Sequence, residues 1–413
     1  MRRRVVVTGL GLVTPLGNDA ESTWSGLVAG RSGASAITRF DPSAQDVTFA
    51  CEVKGFDAQR YVERKEARRY DLFLQYGIAA SQMAVESAGL AGGFPRPDRS
   101  GVLLGSGIGG MQTFEDQTRA FIEKGPSRVS PFFVPMFIPD IAAGIVAIRF
   151  GLTGPNYCTV SACASSAHAV GQACRLIQDG DADLIVAGGS EAAVTPLAVA
   201  GFAAMKALST RNDDPATASR PFDRDRDGFV IGEGAGVVVL EALEPAEARG
   251  ATMLAEVAGF GMSADAFHIT QPAPDGEGAQ LAMRNCLADG RLALSDVSYI
   301  NSHGTSTPHG DVAETRAAKA VFGDHARKLV MGSTKSMTGH LLGATGAVEF
   351  AICVLVIRRG VIPPTINQFT MDPECDLDCA PNRAVERRVD VALSNSFGFG
   401  GHNVSLAVKR FEP

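Results

Sequence analysis

Read only for apolar and polar positions, the chain alternates short β-branched runs with longer stretches of helical spacing. The strand-like runs are VVVTG from Val5, VLLGSG from Val102, DLIVAGG from Asp183, GVVVLEAL from Gly236, LAEVAGFG from Leu254, VSYINSHG from Val297, LVMGST from Leu329 and NVSLAVKRF from Asn403. Their alternation with helical segments predicts an α/β fold in which helices cover sheets. Residues 165–179 have helical spacing, and so does RYVERKEARRYDLF over residues 60–73. The longest near-apolar run, Ala347 to Ile357, carries Glu349 and is too short to cross a bilayer, so it predicts a buried helix.

The pattern also repeats. VVVTGLGLVTPLG from Val5 is echoed by AEVAGFGMSADAF from Ala255, VLLGSGIGG by YINSHGTST, and LIVAGGSEAAV by ALSNSFGFGGHNVS. Each is a strand running into a turn of small residues, and the order is the same in both parts of the chain. Two related halves are therefore expected, residues 1–250 and 251–413, joined near Pro245 to Gly250. Ligands of open α/β sheets lie beyond the carboxyl ends of the strands, so turns from both halves are expected to meet at one site.

Composition narrows the function. With 413 residues, 45% of them hydrophobic, the chain can bury a large core, and its 46 glycines are scattered through short motifs where tight turns are needed. The net charge of −7 argues against nucleic acid or an anionic membrane as the partner. The opening MRRRVVVTGLGLVTPLG is interrupted by Thr8, Gly9 and Gly11 and lacks a small-x-small cleavage site, so it reads as a first strand and not as a secretory leader. Eight cysteines without framework spacing point to free thiols in a reducing, cytoplasmic setting. Cys375 and Cys379 in CDLDC have no second cysteine or histidine pair after them, so no zinc site is expected there.

Chemistry is concentrated in a few small-residue turns. Cys163 lies in TVSACASSAHA, residues 159–169, at the start of the helical stretch. Unpaired N–H groups and the positive end of the helix dipole are expected to favour its thiolate, making it a nucleophile. Cys51, Cys174, Cys286 and Cys353 read as small core residues. A nucleophilic thiol needs a proton partner, and the second half offers His303 in NSHGTSTPHGD and His340 in KSMTGH, each following a strand-like run. His168, His268, His309, His325 and His402 lack that context. GSGIGG, Gly105 to Gly110, matches a dinucleotide fingerprint, but the expected acidic residue is replaced by the neutral, proline-broken RVSPFFVP. These glycines instead suit close backbone approach to something bulky, with Ile108 protruding. Arg64, Lys65, Arg68 and Arg69 form a basic stripe on the helix expected over 60–73, available to an acidic protein partner.

Cys163 in TVSACASSAHAVG, His303 in NSHGTSTPHGD, Lys335 and His340 in GSTKSMTGHLLGATGAVE, and Phe399 in NSFGFGGHN together resemble the β-ketoacyl-acyl carrier protein synthases, specifically the type II condensing enzymes of fatty acid elongation. The likeness runs end to end. It implies a thiolase-like duplicated α/β fold five layers deep, a homodimer, and decarboxylative condensation of a malonyl thioester with an acyl chain held on Cys163. By the same resemblance, His303 and His340 hold the malonyl carbonyl, and the N–H groups of Cys163 and Phe399 form the oxyanion hole. Lys335 pairs with Glu349 and Asp311, Thr305 and Thr307 hold the pantetheine arm with Thr270 beside them, and Ile108 and Phe133 shape the acyl pocket. Phe133 arrives from the second subunit, and Phe399 acts as a gate. Lys65, Arg68, Arg69 and Lys206 match the docking surface for the acidic carrier protein. No organic cofactor is implied; some members hold a monovalent cation at positions matching Asn301, Ser302, Glu349, Ser394 and Asn395. The chain departs mildly from the pattern: SACASS stands where many relatives have TACSS, and GFGGHN where they have GFGGTN. A ketosynthase of a type II polyketide pathway shares all these motifs. A chain-length partner subunit lacks the nucleophile, and a thiolase uses a second cysteine in place of paired histidines.

Overall fold

A computed structural model describes residues 2–413. Ten strands form one sheet: β1 Val5–Val13, β2 Ser100–Gly105, β3 Asn156–Thr159, β4 Leu184–Glu191, β5 Gly234–Ala242, β6 Ala255–Ala264, β7 Val297–Asn301, β8 Val330–Gly332, β9 Val391–Gly398 and β10 His402–Lys409. Their order across the sheet is β8-β7-β9-β10-β6-β1-β5-β4-β2-β3. Read outward from the central β6-β1 pair, both arms run in the same sequence, so each strand of the first five has its counterpart five places later in the chain. Pairing repeats as well. β5 is antiparallel to β1 and β4 while β4, β2 and β3 are parallel, and β10, β6, β9, β7 and β8 follow the same rule. The three echoes in the sequence fall on the counterpart pairs β1/β6, β2/β7 and β4/β9.

Helices divide this sheet into layers. α1 Leu72–Ser87 and α2 Ile141–Phe150 cover the outer face of the first arm, and α5 Glu277–Gly290 with α6 Pro308–Phe322 cover that of the second. Between the arms lie α3 Ser165–Asp179 and α7 Thr345–Arg359, which share one apolar cluster with strands of both. The fourth helix used below, α4 Pro196–Ala204, lies beside the site. The run Ala347 to Ile357 is entirely buried, as a helix between two sheet faces must be. The strands lie so close to the outer helices that a Cβ at Gly11 would meet the Ala80 carbonyl oxygen at 1.9 Å, which explains the glycines that interrupt the apolar opening.

One expected element is broken. Residues 60–73 form a short helix Arg64–Ala67, a turn, and then α1, whose N-terminus is capped by Asp71 accepting from the Phe73 N–H. A capping aspartate at that point competes with helix continuation, so Asp71 starts a new helix instead of extending the old one. Lys65, Arg68 and Arg69 are exposed on this irregular segment, and Glu66 beside them accepts from the Tyr70 hydroxyl at 3.2 Å.

Candidate active site

Cys163 sits in a single 3₁₀ turn, Ala162–Ala164, immediately before α3. Ala162 holds φ of +50°, a left-handed conformation that costs a non-glycine residue energy and turns the chain sharply enough to present the thiol. Ser165 braces the turn, its hydroxyl donating to the Ala162 carbonyl at 2.7 Å and accepting from the Ser161 N–H at 2.9 Å. The equivalent turn before α7, Leu342–Ala344, carries the same feature, with Leu342 at φ +48°. The nucleophile turn is thus one copy of a duplicated element.

The structure brings the three reacting groups together. The sulfur of Cys163 and one ring nitrogen each of His303 and His340 lie within 4.8 Å of one another. His340 Nε2 is 3.0 Å from Cys163 Sγ, and its Nδ1 is 3.0 Å from the Thr345 hydroxyl. When that hydroxyl donates, Nε2 carries the ring proton. The His303 and His340 rings meet edge to face at 5.3 Å, and His303 Nδ1 is buried with no hydrogen-bond partner. The main-chain N–H groups of Phe399 and of Cys163 itself favour the thiolate at this sulfur. Gly398 makes the close approach of its segment to the Cys163 turn feasible, because a Cβ there would lie 2.7 Å from the Ser161 carbonyl oxygen and 3.1 Å from the Cys163 nitrogen.

Electrostatics follow from burial. Desolvation, then the nearby Lys335 charge, hold His340 well below the ordinary imidazole range, and His303 is lowered by the same two causes and by His340 itself. Both rings are therefore neutral donors. Cys163 departs from the expectation that the helix dipole favours its thiolate. Burial pushes the thiol up to about 12, against the lowering effect of Lys335 and of the two main-chain N–H groups. The desolvation cost exceeds the help from the turn because the thiol is almost wholly enclosed by protein.

Lys335 is 1% exposed and its Nζ donates to Glu349 Oε1 at 2.6 Å, with the Ser302 carbonyl at 3.5 Å. Asp311 is not part of that pair. Its oxygens accept from the N–H groups of Phe222 and Ser306 at 2.8 and 3.2 Å and lie 3.5 Å from the Arg226 guanidinium, which also bonds the Thr307 and Pro308 carbonyls and Asp372. Asp311 sits in the first turn of α6, facing the turn it caps, and Arg226 reaches it first. Glu314, one turn further along α6, is the carboxylate behind His303: it accepts from the His303 and Gly304 N–H groups at 2.9 and 2.8 Å. Neither Glu314 nor Arg226 is marked by a motif that residue spacing alone would single out.

These groups open into a cavity of about 430 Å³ lined by Cys163, His303, His340, Ile108, Phe399, Thr270, Thr305 and Thr307, with Lys206 at its margin. Phe202 of α4, Phe229 and Leu342 add apolar wall that the sequence did not reveal. Thr305 and Thr307 hydroxyls are 3.1 Å apart. Phe133 lies elsewhere, half-buried in a short helix Phe133–Phe137 and stacked on Phe137 at 5.8 Å, so it does not line the cavity of its own chain. Behind Lys335, Glu349 Oε2 and the Ser394 hydroxyl are buried without hydrogen-bond partners, and Ser394 stands beside Asn301 in the β9-β7 register. Asn395 there is committed to Glu314 and Ser405. An oxygen-rich donor set with two unpartnered atoms fits a hard monovalent cation.

The N-terminal domain model of β-ketoacyl synthases matches residues 2–246, and the C-terminal domain model matches residues 254–369. The chain belongs to the β-ketoacyl synthase family. Among its relatives are the 3-oxoacyl-[acyl-carrier-protein] synthase 2 of Synechocystis sp., 54% identical with 100% of this chain and 99% of that protein covered, and that of Staphylococcus aureus, 51% identical with 99% of each covered. A β-ketoacyl synthase from Burkholderia phymatum superimposes with a TM-score of 0.93 at 37% identity over 99% of this chain and 100% of the other. A type II polyketide ketosynthase solved with its acyl carrier protein superimposes with a TM-score of 0.92 at 33% identity, with 100% of each chain covered. The layered, duplicated architecture is the family's own, as the resemblance in the motifs implied.

Proposed function

We propose that the chain is a 3-oxoacyl-[acyl-carrier-protein] synthase, an acyltransferase that condenses a malonyl thioester with an acyl chain carried on Cys163. The observation that carries this reading is the meeting of one thiol and two neutral imidazoles at the floor of an apolar cavity. In the first half-reaction the Cys163 sulfur attacks an acyl-carrier thioester. The carrier thiol leaves with the proton that Cys163 gives up as its sulfur bonds the carbonyl, while the His340 Nε2–H, 3.0 Å away, steadies the charge on the sulfur. Because the resting thiol sits at about 12, its proton leaves as the bond to the carbonyl forms. The developing oxyanion is met by the Cys163 and Phe399 N–H groups.

In the second half-reaction the malonyl carbonyl lies between His303 and His340. The bond to the carboxylate breaks, carbon dioxide leaves, and the electron pair passes into the carbonyl as an enolate held by two ring N–H donors. Neutral imidazoles suit this step, since they stabilise the charge without protonating the carbanion. The carbanion attacks the acyl carbonyl on Cys163, the thiolate is expelled and takes a proton from solvent water, and the 3-oxoacyl thioester departs on its carrier. Burial, with the charge of Lys335 held by Glu349 adding to it, keeps both rings neutral. Asn301, Ser302, Glu349 and Ser394 are the residues whose oxygens would hold a monovalent cation, which would supply positive charge behind the histidines, while the Asn395 side chain stays with Glu314 and Ser405. No organic cofactor enters the scheme.

The carrier protein is the partner this site calls for: an acidic protein with a thioester-bearing arm. Thr305, Thr307 and Thr270 line the cavity where that arm lies, and Lys206 with the exposed Lys65, Arg68 and Arg69 supplies complementary charge. A second copy of the chain supports the site from the side. β3 ends the sheet as an exposed edge, with Tyr157 on it, Val160 beside it and Ile148 on the helix packed against it, the last 82% exposed. Phe133 lies in the neighbouring segment, where a homodimer would carry it toward the partner's pocket. Eight free thiols suit the cytoplasm. Among the described residues no helix is long and apolar enough to cross a membrane.

Fatty acid elongation is favoured over polyketide extension by identity: the fatty-acid-type relatives stand at 51–54%, the polyketide ketosynthase at 33%. Incubation with malonyl-carrier and a ladder of straight-chain acyl-carriers, read by product mass, tests it. Extension of long straight chains by one two-carbon unit is expected; repeated extension without reduction, or extension of aromatic precursors alone, would overturn it.

A further inference from the structure

Glu191, the last residue of β4, is completely buried and has no basic side chain within ion-pair distance, yet it takes no part in the chemistry above. Its two oxygens are saturated from both halves of the fold. Oε2 accepts from the Gly107 N–H at 2.7 Å and from the Gly343 N–H at 2.9 Å. Oε1 accepts from the Ser106 hydroxyl at 2.9 Å and the Ile108 N–H at 3.2 Å. Four donors on one buried carboxylate are an anion hole built from the backbone.

What those donors carry gives the arrangement its meaning. Ile108 and Leu342 both line the cavity, one from the turn after β2 and the other from the strained turn before α7. Each is bonded to Glu191 directly or through the adjacent residue. Gly107 and Gly343 are clamped face to face, so that a Cβ on Gly343 would lie 2.2 Å from the Gly107 nitrogen and 2.6 Å from Glu191 Oε2. We propose that Glu191 is a positioning residue for substrate selection: its carboxylate fixes the spacing of Ile108 and Leu342, and thereby the length of acyl chain the cavity accepts. This rests on the reading of the cavity as the acyl site.

Glu191→Gln tests the proposal, because the amide keeps the shape and turns the acceptor of two of the four bonds into a donor. The Ser106 hydroxyl can turn to accept from the new NH₂ group, but the Ile108 N–H cannot. The amide nitrogen therefore settles toward Ser106, and the Ile108 bond is lost while the Gly107 and Gly343 bonds persist. The ratio of kcat/KM for a long against a short straight-chain acyl-carrier is measured for both proteins, with the thermal midpoint of each. A change in that ratio of about tenfold is expected, the scale set by a changed fit of a few methylenes in an apolar pocket. Ser106→Ala removes one donor and keeps the carboxylate, and an about twofold change in the same direction is expected; it decides the question if the Gln variant does not fold. An unchanged ratio, or a loss equal at both lengths that tracks the thermal midpoint, would overturn the proposal. The wild-type ratio stands or falls with the proposed function, the shift on substitution with Glu191.

Discussion

Lys335→Met removes the one positive charge buried behind the histidines and leaves its volume nearly filled. Two consequences separate. The first is stability: breaking a buried ion pair by deleting one partner costs ~3–5 kcal/mol, and here the figure falls at the low end. Burial already pushes the Glu349 carboxyl up to about 8 against the pull of Lys335, so without the lysine it takes up a proton instead of remaining a bare charge. The second is catalysis. Lys335 reaches the Ser302 carbonyl, adjacent to His303, and its charge lowers both rings. Its loss both loosens His303 and lets the imidazoles rise toward their ordinary range, and misplacement of a reacting group costs ~10²-fold in rate. Carbon dioxide release from malonyl-carrier and the thermal midpoint are measured on Lys335→Met and on Lys335→Met combined with Glu349→Leu. The double variant should regain the stability, since a buried pair replaced by apolar groups of like volume is close to neutral. It should not regain the rate. Decarboxylation by the single variant within about twofold of the parent, or a rate restored together with stability in the double variant, would refute the reasoning.

Two pH experiments check the states assigned to the reacting groups. Because both histidines are held well below the ordinary range, they stay neutral as pH falls through 6.5, and carbon dioxide release should show no acid limb near the unperturbed imidazole value of about 6.5; a limb there would contradict the burial argument. Because the Cys163 thiol sits at about 12, its alkylation by iodoacetamide in the absence of substrate should keep rising with pH well past the ordinary thiol range, and a plateau near neutrality would show that the turn does stabilise a resting thiolate.

Much of the architecture can be read from strand runs and their echoes, because β-branched runs bounded by glycine have few other folds open to them. The three echoed pairs lie at equivalent places in the sheet, and α3 spans the residues whose spacing announced it. Cys163, His303 and His340 were legible for the same reason: each follows a strand or precedes a helix in a turn of small residues. Failures came where long-range partners decide. Asp71 ended the helix expected over 60–73 because a cap overrides periodicity. Asp311 found Arg226 and not Lys335, a choice set by which element lies nearer in space. Glu191 and Glu314, buried carboxylates whose donors are main-chain N–H groups from other segments, leave no pattern in the residues around them. The thiol's high resting value escaped for a similar reason, since a local reading sees the helix start and not the enclosure by distant segments.

The division of labour between the thiol and the imidazoles is the centre of the account, and Cys163→Gln tests it most directly. With malonyl-carrier and acyl-carrier both supplied, the folded variant should form no 3-oxoacyl product and carry no acyl adduct by intact mass, yet should still release carbon dioxide, because His303 and His340 remain. Loss of carbon dioxide release together with condensation, in a variant whose fold is intact, would contradict the assignment.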